Sequence, residues 1–188
     1  MTAEANSSIP TVAEYLAAVD ARYEPITAES EEMPAINCFA PQGWQRVSRQ
    51  VFPHAFGVWA QPVQPGSNWA DNATLLVGRL TGAIDPMTLI RCTATDSRRM
   101  PQWHEINYET GTFDGFPSAA ITGTYVVEAY RFWSHTRYLL VRSRAGCFWI
   151  QLTTTARART DAAPPPTTKL IVRIPPGAEF TADHETTG

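Results

Sequence analysis

Residues 119–155 decide the fold of this chain, and they read AAITGTYVVEAYRFWSHTRYLLVRSRAGCFWIQLTTT. The stretch is rich in Val, Tyr, Phe, Trp and Thr, which suit a pleated, half-buried surface. Ser-Arg-Ala-Gly at 143–146 interrupts it with a loop of hairpin length. We therefore predict a meander of three antiparallel strands over residues 119–127, 130–142 and 147–155. Neither side-chain parity of the middle strand is uniformly polar, so both sheet faces should be partly covered.

The composition is that of one folded globular domain with a sizeable core. The chain has 188 residues, of which 44% are hydrophobic and 18% are charged. A formal net charge of −3 provides no basic face, so we predict no nucleic-acid partner. No stretch reaches the 18 apolar residues of a membrane span, so no transmembrane segment is predicted. The first ten residues lack the features of a signal peptide. As written, the sequence predicts a cytoplasmic protein, or a cell-envelope protein if a signal was removed.

The segments before the meander predict two helices and several shorter strands. Thr11 and Glu14 fit a capping box that opens a helix, which should stop before Pro25. Asp85 as N-cap and Pro86 in the first helical position open a second helix. Strands are predicted at residues 35–39, 55–60, 73–81 and 103–112, and a turn at 111–117.

The two ends and the segment after the meander carry different signals. Residues 1–8 and the Pro-containing, polar tail 175–188 are predicted to be disordered, which leaves a single domain over 9–174. Consecutive prolines at 164–166 predict extended backbone. Residues 169–174, KLIVRI, fit either a strand or a short helix.

The three cysteines are Cys38, Cys92 and Cys147, and none lies in a paired metal-binding motif. Two fall in predicted strands and one in a predicted helix, where a free cysteine acts as a small hydrophobe. A disulfide is possible but not indicated. We predict no metal and no cofactor.

The histidines and acidic residues form no recognisable catalytic motif. The four histidines make no HExxH pair, and the chain has no GxSxG elbow, P-loop or GxGxxG sequence. Adjacent His104 and Glu105 should point to opposite faces of a strand. His135 shares one parity with Arg137 and is most simply a structural histidine. We predict no catalytic residues and no enzyme, with a small hydrolase-like enzyme as a third alternative.

Aromatic and cationic side chains are concentrated in the meander and the segment that enters it. Such side chains suit ligand pockets and protein interfaces. Alternatively, the aromatic rings fill the layer between the sheet and its helices. The candidate ligand- or partner-binding residues are Trp103, Tyr130, Arg131, Trp133, Tyr138 and Trp149.

Four phrases resemble the mycobacterial LpqN/LpqT lipoprotein family. They are TVAEYL at 11–16, MPAINCFAPQGW at 33–44, LTGAIDP at 80–86 and GFPSAAITGTYV at 115–126. The resemblance implies an α+β fold, a Mog1/PsbP-like α/β/α sandwich whose central antiparallel sheet has helices on both faces. Members carry a signal peptide and an acylated cysteine and finish with a helix. This sequence shows neither of the first two features, and KLIVRI follows Pro-Pro-Pro where the helix would lie.

The resemblance also implies a non-enzymatic binding or accessory protein. Its ligand would be amphipathic, lipid-like or glycolipid-like, held between the meander and a covering helix, or it would bind a protein partner. The alternative is an interaction subunit or adaptor of a larger assembly that has no small-molecule ligand.

Overall fold

The computed structural model describes residues 9–30, 33–158 and 167–174. The fold consists of an eight-stranded sheet, a two-stranded sheet and two described helices, and every pairing between described strands is antiparallel. The helices are α1 (Val12–Ala18) and α2 (Pro86–Arg98). The strands are β1 (Arg22–Ile26), β2 (Ala35–Phe39), β3 (Gln45–Arg46), β4 (Gly57–Ala60), β5 (Asn72–Thr81), β6 (His104–Phe113), β7 (Phe116–Val127), β8 (Tyr130–Ser143), β9 (Gly146–Arg157) and β10 (Lys169–Arg173).

The large sheet has the predicted meander at its centre. Its strand order is β3-β4-β5-β9-β8-β7-β6, and β1 pairs with the second half of β5. The three predicted strands are confirmed as β7, β8 and β9, each slightly longer than predicted at one or both ends. The α+β class is therefore confirmed, with antiparallel pairing throughout the described sheet.

The helix caps follow the sequence closely. Thr11 Oγ1 accepts from the backbone N–H of Glu14 at 3.1 Å, and the Glu14 carboxylate accepts from the Thr11 N–H at 2.7 Å. Asp85 Oδ1 accepts from the N–H of Thr88 at 2.7 Å.

Helix α1 ends at Ala18, and the unpredicted strand β1 follows it. This strand contains Pro25, and β5 is its only neighbour among the described strands, which is the edge position where sheets tolerate proline.

Both described helices lie on one face of the large sheet, which corrects the prediction of helices on both faces. Tyr15 of α1 and Leu89 of α2 share one core with Leu140 and Trp149 of the sheet. The opposite face is covered by the two-stranded sheet of β10 and β2. Residues 169–173 form a strand, and their side chains alternate between its two faces. Leu170 and Val172 point inward, while Lys169 and Arg173 remain exposed.

A tight turn between β6 and β7 replaces the longer turn predicted at 111–117. Phe113 pairs directly with Phe116 across the two-residue turn Asp114-Gly115. Both turn residues have positive φ, at 52° and 84°, as a type I′ turn requires. This turn gives Asp114 a fixed position at the end of the hairpin.

Several predictions concern residues outside the described ranges. These are the disordered ends at 1–8 and 175–188 and the extended prolines at 164–166. Cys38 and Cys147 lie in strands and Cys92 in a helix, as predicted, and all three are free.

Candidate functional site

A cleft of about 780 Å³ lies beside β10, on the face of the large sheet that carries no described helix. Ligand sites of small molecules commonly fall between 300 and 1,000 Å³. We call it the β10 cleft, and it is lined by Phe113, Asp114, His135, Arg137, Leu152 and residues 167–173. One wall of the cleft is thus β10, and the other is formed by β8, β9 and the turn between β6 and β7.

Arg137 is a cation of the cleft whose guanidinium is held by several contacts. Its Nη2 donates to Oε1 of Glu109 at 2.9 Å, and its guanidinium lies 4.4 Å from the ring centroid of Phe113. Nη1 also lies 3.5 Å from Oγ of Ser118. Its side chain nevertheless remains 20% exposed. A guanidinium that is fixed by an ion pair and an aromatic ring can donate its remaining N–H groups to an anion with little ordering cost.

His135 lies two residues before Arg137 and lines the same cleft. Its Nδ1 shares a hydrogen bond of 2.8 Å with Oγ1 of Thr122, and its ring stacks on Trp133 at 6.2 Å. Burial lowers the pKa of this imidazole below its usual 6.5, and the charge of Arg137 lowers it further against the opposing effect of Glu109. His135 is therefore an uncharged, oriented hydrogen-bonding group at neutral pH.

Two contacts hold β10 against the large sheet from the cleft side. The backbone N–H of Val172 donates to Oδ2 of Asp114 at 3.3 Å. At the start of the strand, Oγ1 of Thr154 lies 3.5 Å from Oγ1 of Thr168. Asp114 therefore occupies one backbone donor on the edge of β10 that faces away from β2.

The described lining of the cleft combines apolar surface with a positive charge balance. Arg137, Lys169 and Arg173 are cations, and Asp114 is the only carboxylate among the lining residues that the structure describes. Apolar surface comes mainly from Phe113, Leu152 and the residues of β10. This lining favours a molecule that has an apolar portion and an anionic group.

A second, smaller groove lies between α1 and the sheet, where the sequence placed a ligand cleft. Its volume is about 270 Å³ and its lining is mostly apolar. The lining residues are Val12, Ala13, Leu16, Tyr23, Leu76, Asp96, Trp149 and Gln151. Because Trp149 is only 4% exposed and packs into the core, most of its ring is unavailable to a ligand.

The six predicted binding residues do not converge on one site. Tyr138 and Trp149 are each 4% exposed and lie in the helix-side core, with ring centroids 5.5 Å apart. Burial raises the pKa of the Tyr138 phenol. Trp103 packs against the same core and covers Gly123. These positions agree with the alternative in which the aromatic rings fill the layer between sheet and helices.

The other three predicted residues lie on β8, away from that core. The ring of Tyr130 is stacked under the guanidinium of Arg157 at 3.9 Å. Arg131 is exposed and donates to Oγ1 of Thr124 at 3.4 Å. Trp133 supports His135 and so stands nearest to the β10 cleft. A binding role for any of the six stays a prediction.

The sequence contained signals for several cleft residues that the six predicted positions left out. His135 and Arg137 share one parity of a strand, which places both on the same face. Asp114-Gly115 between two runs of strand-forming residues is a strong hairpin signal. No local signal, however, indicates that Lys169 and Arg173 cross this face.

The described part of the chain supplies no metal centre and no spanning helix. In residues 9–30, 33–158 and 167–174, no three His, Cys, Asp or Glu side chains come together as metal ligands. Within the same ranges, no helix combines the length and the apolar character needed to cross a membrane.

Comparison with known proteins identifies the family. The family model described as "Probable lipoprotein LpqN" matches residues 9–174. The chain belongs to the LpqN family. Its resemblance to the LpqN/LpqT proteins is thereby confirmed.

Individual relatives and one solved structure agree with this assignment. The Proline-rich 28 kDa antigen of Mycobacterium tuberculosis is 32% identical over 132 residues, which are 70% of this chain and 42% of that protein. A homologue of this antigen in Mycobacterium leprae is 30% identical, covering 70% of this chain and 47% of its own length. The chain thus spans less than half the length of these two curated relatives.

The putative lipoprotein LpqT of M. leprae is 23% identical over 164 residues, covering 85% of this chain and 72% of that protein. A similar solved structure is that of LpqN involved in cell envelope biogenesis of M. tuberculosis. Its TM-score is 0.68 at 19% identity, and the match covers 78% of this chain and 85% of that one. At this identity the likeness supports the fold alone.

Proposed function

We propose that this chain is a non-enzymatic binding or accessory protein whose β10 cleft holds an amphipathic molecule. The observation that carries the proposal is Arg137, a guanidinium fixed between Glu109 and Phe113 yet 20% exposed in a cleft of about 780 Å³. Its free N–H groups would receive the anionic group, while Phe113 and Leu152 would contact the apolar portion.

The charge of the site supports an anionic rather than a neutral head group. Lys169 and Arg173 add two exposed cations to the rim beside Arg137, and Asp114 already accepts from a backbone N–H. Charges at such a rim raise the association rate and favour ligands of opposite sign. Uncharged His135 adds a hydrogen-bonding nitrogen without repelling a cationic neighbour.

The arrangement of ionisable groups favours a binding role over catalysis. The carboxylate of Glu109 is paired with Arg137, and that of Glu105 is paired with Arg98 at 2.8 Å. One nitrogen of His135 is engaged by Thr122. General acid–base catalysis would need a carboxylate and an imidazole aimed at one reacting atom. An activity lost on changing His135 or Glu105 would contradict this part of the proposal.

A protein-interaction subunit or adaptor is the second candidate. The observation in its favour is that β10 has a described partner strand on one side only. An open strand edge is a site at which another polypeptide can bind. This candidate uses the same cleft, with a protein segment in place of a small molecule.

Family membership supports two further proposals. We propose that the chain acts at the cell envelope, because a structurally similar LpqN is described as involved in cell envelope biogenesis. Fractionation of the native organism would test this location against the cytoplasm. We also propose that the architecture is a Mog1/PsbP-like variant in which the two-stranded sheet covers one face in place of a helix.

A pair of detergent-like probes tests the main proposal. Dodecyl phosphate and dodecyl maltoside share a tail but differ in head-group charge, and both are titrated calorimetrically below their micellar concentrations. We expect dodecyl phosphate to bind wild type more tightly than the maltoside does. Arg137→Met should weaken the binding of dodecyl phosphate at least about tenfold, because the variant loses a charge-assisted hydrogen bond to the phosphate.

The matched control is Arg91→Met, which removes an exposed arginine of α2, on the opposite side of the large sheet from the cleft. This variant should bind dodecyl phosphate as wild type does. Equal losses in both variants would place binding elsewhere. No binding to any of the three proteins would contradict the amphipathic ligand.

A further inference from the structure

We propose that the occupant of the β10 cleft is an extended, acidic segment of a partner protein, which adds as a new strand to the edge of β10 that has no partner strand among the described residues. This inference rests on the second candidate function, the protein-interaction role, and names the chemistry of the segment that the cleft would bind. The recognition would combine backbone hydrogen bonds along β10 with side-chain contacts on the cleft floor.

The backbone of β10 is arranged for such an addition. Its antiparallel pairing with β2 places Lys169, Ile171 and Arg173 opposite Phe39, Asn37 and Ala35. The N–H of Val172 points to the other edge, where it meets Asp114. Because backbone groups alternate in direction along a strand, those of Leu170 face the cleft as well. No described residue other than Asp114 donates to or accepts from the backbone of residues 169–173 on that edge.

The dimensions of the cleft fit one strand. Five residues of β10 extend over about 16 Å at about 3.3 Å each, and an added strand would lie about 4.8 Å away. The cleft follows β10 along its whole length, from Thr167 to Arg173, and the opposite wall at Phe113 and Arg137 leaves about 780 Å³ between them. Asp114 occupies the Val172 donor and so marks one end of the available edge.

The side chains of β10 define the sequence of the segment. Inward-facing positions of an added strand would lie beside Leu170 and above Leu152, so they should be apolar. Outward-facing positions would lie beside the exposed cations Lys169 and Arg173, so they should be acidic. Opposite charges on neighbouring strands stabilise a pair, and like charges destabilise it. The segment is therefore one of alternating apolar and acidic residues.

The same charges disfavour a second copy of this chain as the occupant. If two β10 strands paired antiparallel about Ile171, Lys169 of each would lie opposite Arg173 of the other. These like charges would repel at both ends of a five-residue pairing. A partner with carboxylates at those positions meets no such repulsion.

Peptide binding measured by fluorescence anisotropy tests the proposal. The probe is a labelled, blocked heptapeptide of alternating Val and Glu, and its counterpart has Lys in place of Glu. We expect the Val-Glu peptide to bind wild type and the Val-Lys peptide to bind at least about tenfold more weakly. The double variant Lys169→Glu/Arg173→Glu changes two exposed side chains and should reverse that preference. Arg91→Glu, at an exposed position of α2 on the other side of the large sheet, is the matched control and should leave that preference unchanged.

Backbone pairing is tested separately with two N-methylated Val-Glu peptides. One carries methyl groups on the Val nitrogens and the other on the Glu nitrogens. Since alternate N–H groups of a strand point to opposite edges, only one of these peptides should lose binding. Equal affinity, or equal loss, for both would overturn strand addition.

The remaining outcomes separate this inference from the proposed function. If the Val-Glu peptide fails to bind while dodecyl phosphate binds in an Arg137-dependent manner, the strand inference is overturned and the proposed function stands. If neither probe binds, both are overturned. A concentration-dependent dimer that the peptide dissociates would assign the edge to a second copy and overturn the partner assignment.

Discussion

The backbone N–H of Val172 donates to Oδ2 of Asp114 at 3.3 Å, and this contact joins β10 to the tight turn between β6 and β7. It connects two segments 58 positions apart in the chain. Because the type I′ turn fixes Asp114, the carboxylate lies where it can hold the open edge of β10. A side chain of this turn therefore helps to hold β10 in its position beside the cleft.

Asp114→Gly should loosen β10 without disturbing the turn, since glycine adopts positive φ readily. We expect the amide of Val172 to exchange with solvent about fivefold faster, which corresponds to the loss of one ordinary hydrogen bond. Hydrogen exchange followed by NMR measures this rate. Asp114→Asn keeps a residue that tolerates positive φ and an oxygen that can accept a hydrogen bond. In this variant the amide of Val172 should therefore exchange at a rate close to that in wild type. Equal exchange in all three proteins would show that Asp114 does not hold the strand.

His135 should make the stability of the protein fall on mild acidification. The pKa of His135 in the folded protein lies below 6.5, the value expected in the unfolded chain. At pH values between these two pKa values, the unfolded state therefore binds more protons than the folded state. The contribution of uncharged His135 to the free energy of unfolding is fully present above pH 6.5 and is lost as the pH falls through 6.5 toward the folded pKa. Urea unfolding at pH 7.5 and pH 5 should show a larger loss for wild type than for His135→Gln. Arg137 and Glu109 remain in both proteins, and identical losses would contradict the assignment.

Gly123 should be intolerant of a side chain because Trp103 lies directly upon it. A methyl group at residue 123 would overlap the Trp103 ring and lie 2.6 Å from the carbonyl oxygen of His104. We expect Gly123→Ala to lower the free energy of unfolding by about 2 kcal/mol, as overpacked sites do. Combined with Trp103→Leu, the substitution should cost less than the sum of the two single changes. Additive costs in denaturant titrations would show that the two residues do not share this space.

Thr11 should contribute to stability through its side-chain oxygen. Thr11→Ala removes the acceptor for the Glu14 N–H and should cost about 1 kcal/mol of unfolding free energy. Thr11→Ser retains the hydroxyl and should cost clearly less. Guanidinium titrations of the three proteins measure the difference. If Ser and Ala were equally destabilising, packing of the threonine methyl group, and not capping, would be the cause.

Local chemistry made part of this fold predictable. Thr11 with Glu14, and Asp85 with Pro86, mark helix starts through contacts within three residues of each other. The meander was predictable because runs of β-branched and aromatic residues are separated by short turns. Strand β1 was missed because Pro25 normally argues against a strand, and only its edge position makes it acceptable.

The layer arrangement and the cleft depend on contacts that no local pattern specifies. Residues 169–173 pair with residues 35–39, and this long-range pairing decides what covers the second face of the sheet. The same pairing places Lys169 and Arg173 near Arg137. Among the aromatic residues, the sequence could not distinguish Trp149, which fills the core, from Trp133, which supports His135.

The most direct measurement of the central claim is a histidine NMR titration. The protein carries four histidines, and of the three within the described residues only His135 lines the β10 cleft. Its ring signals are assigned by comparison with His135→Gln and followed as dodecyl phosphate, or the Val-Glu peptide, is added. A binding site in the β10 cleft predicts a saturable shift of the His135 signals that Arg137→Met weakens and Arg91→Met leaves unchanged. Saturable binding that leaves the His135 signals unmoved would contradict it.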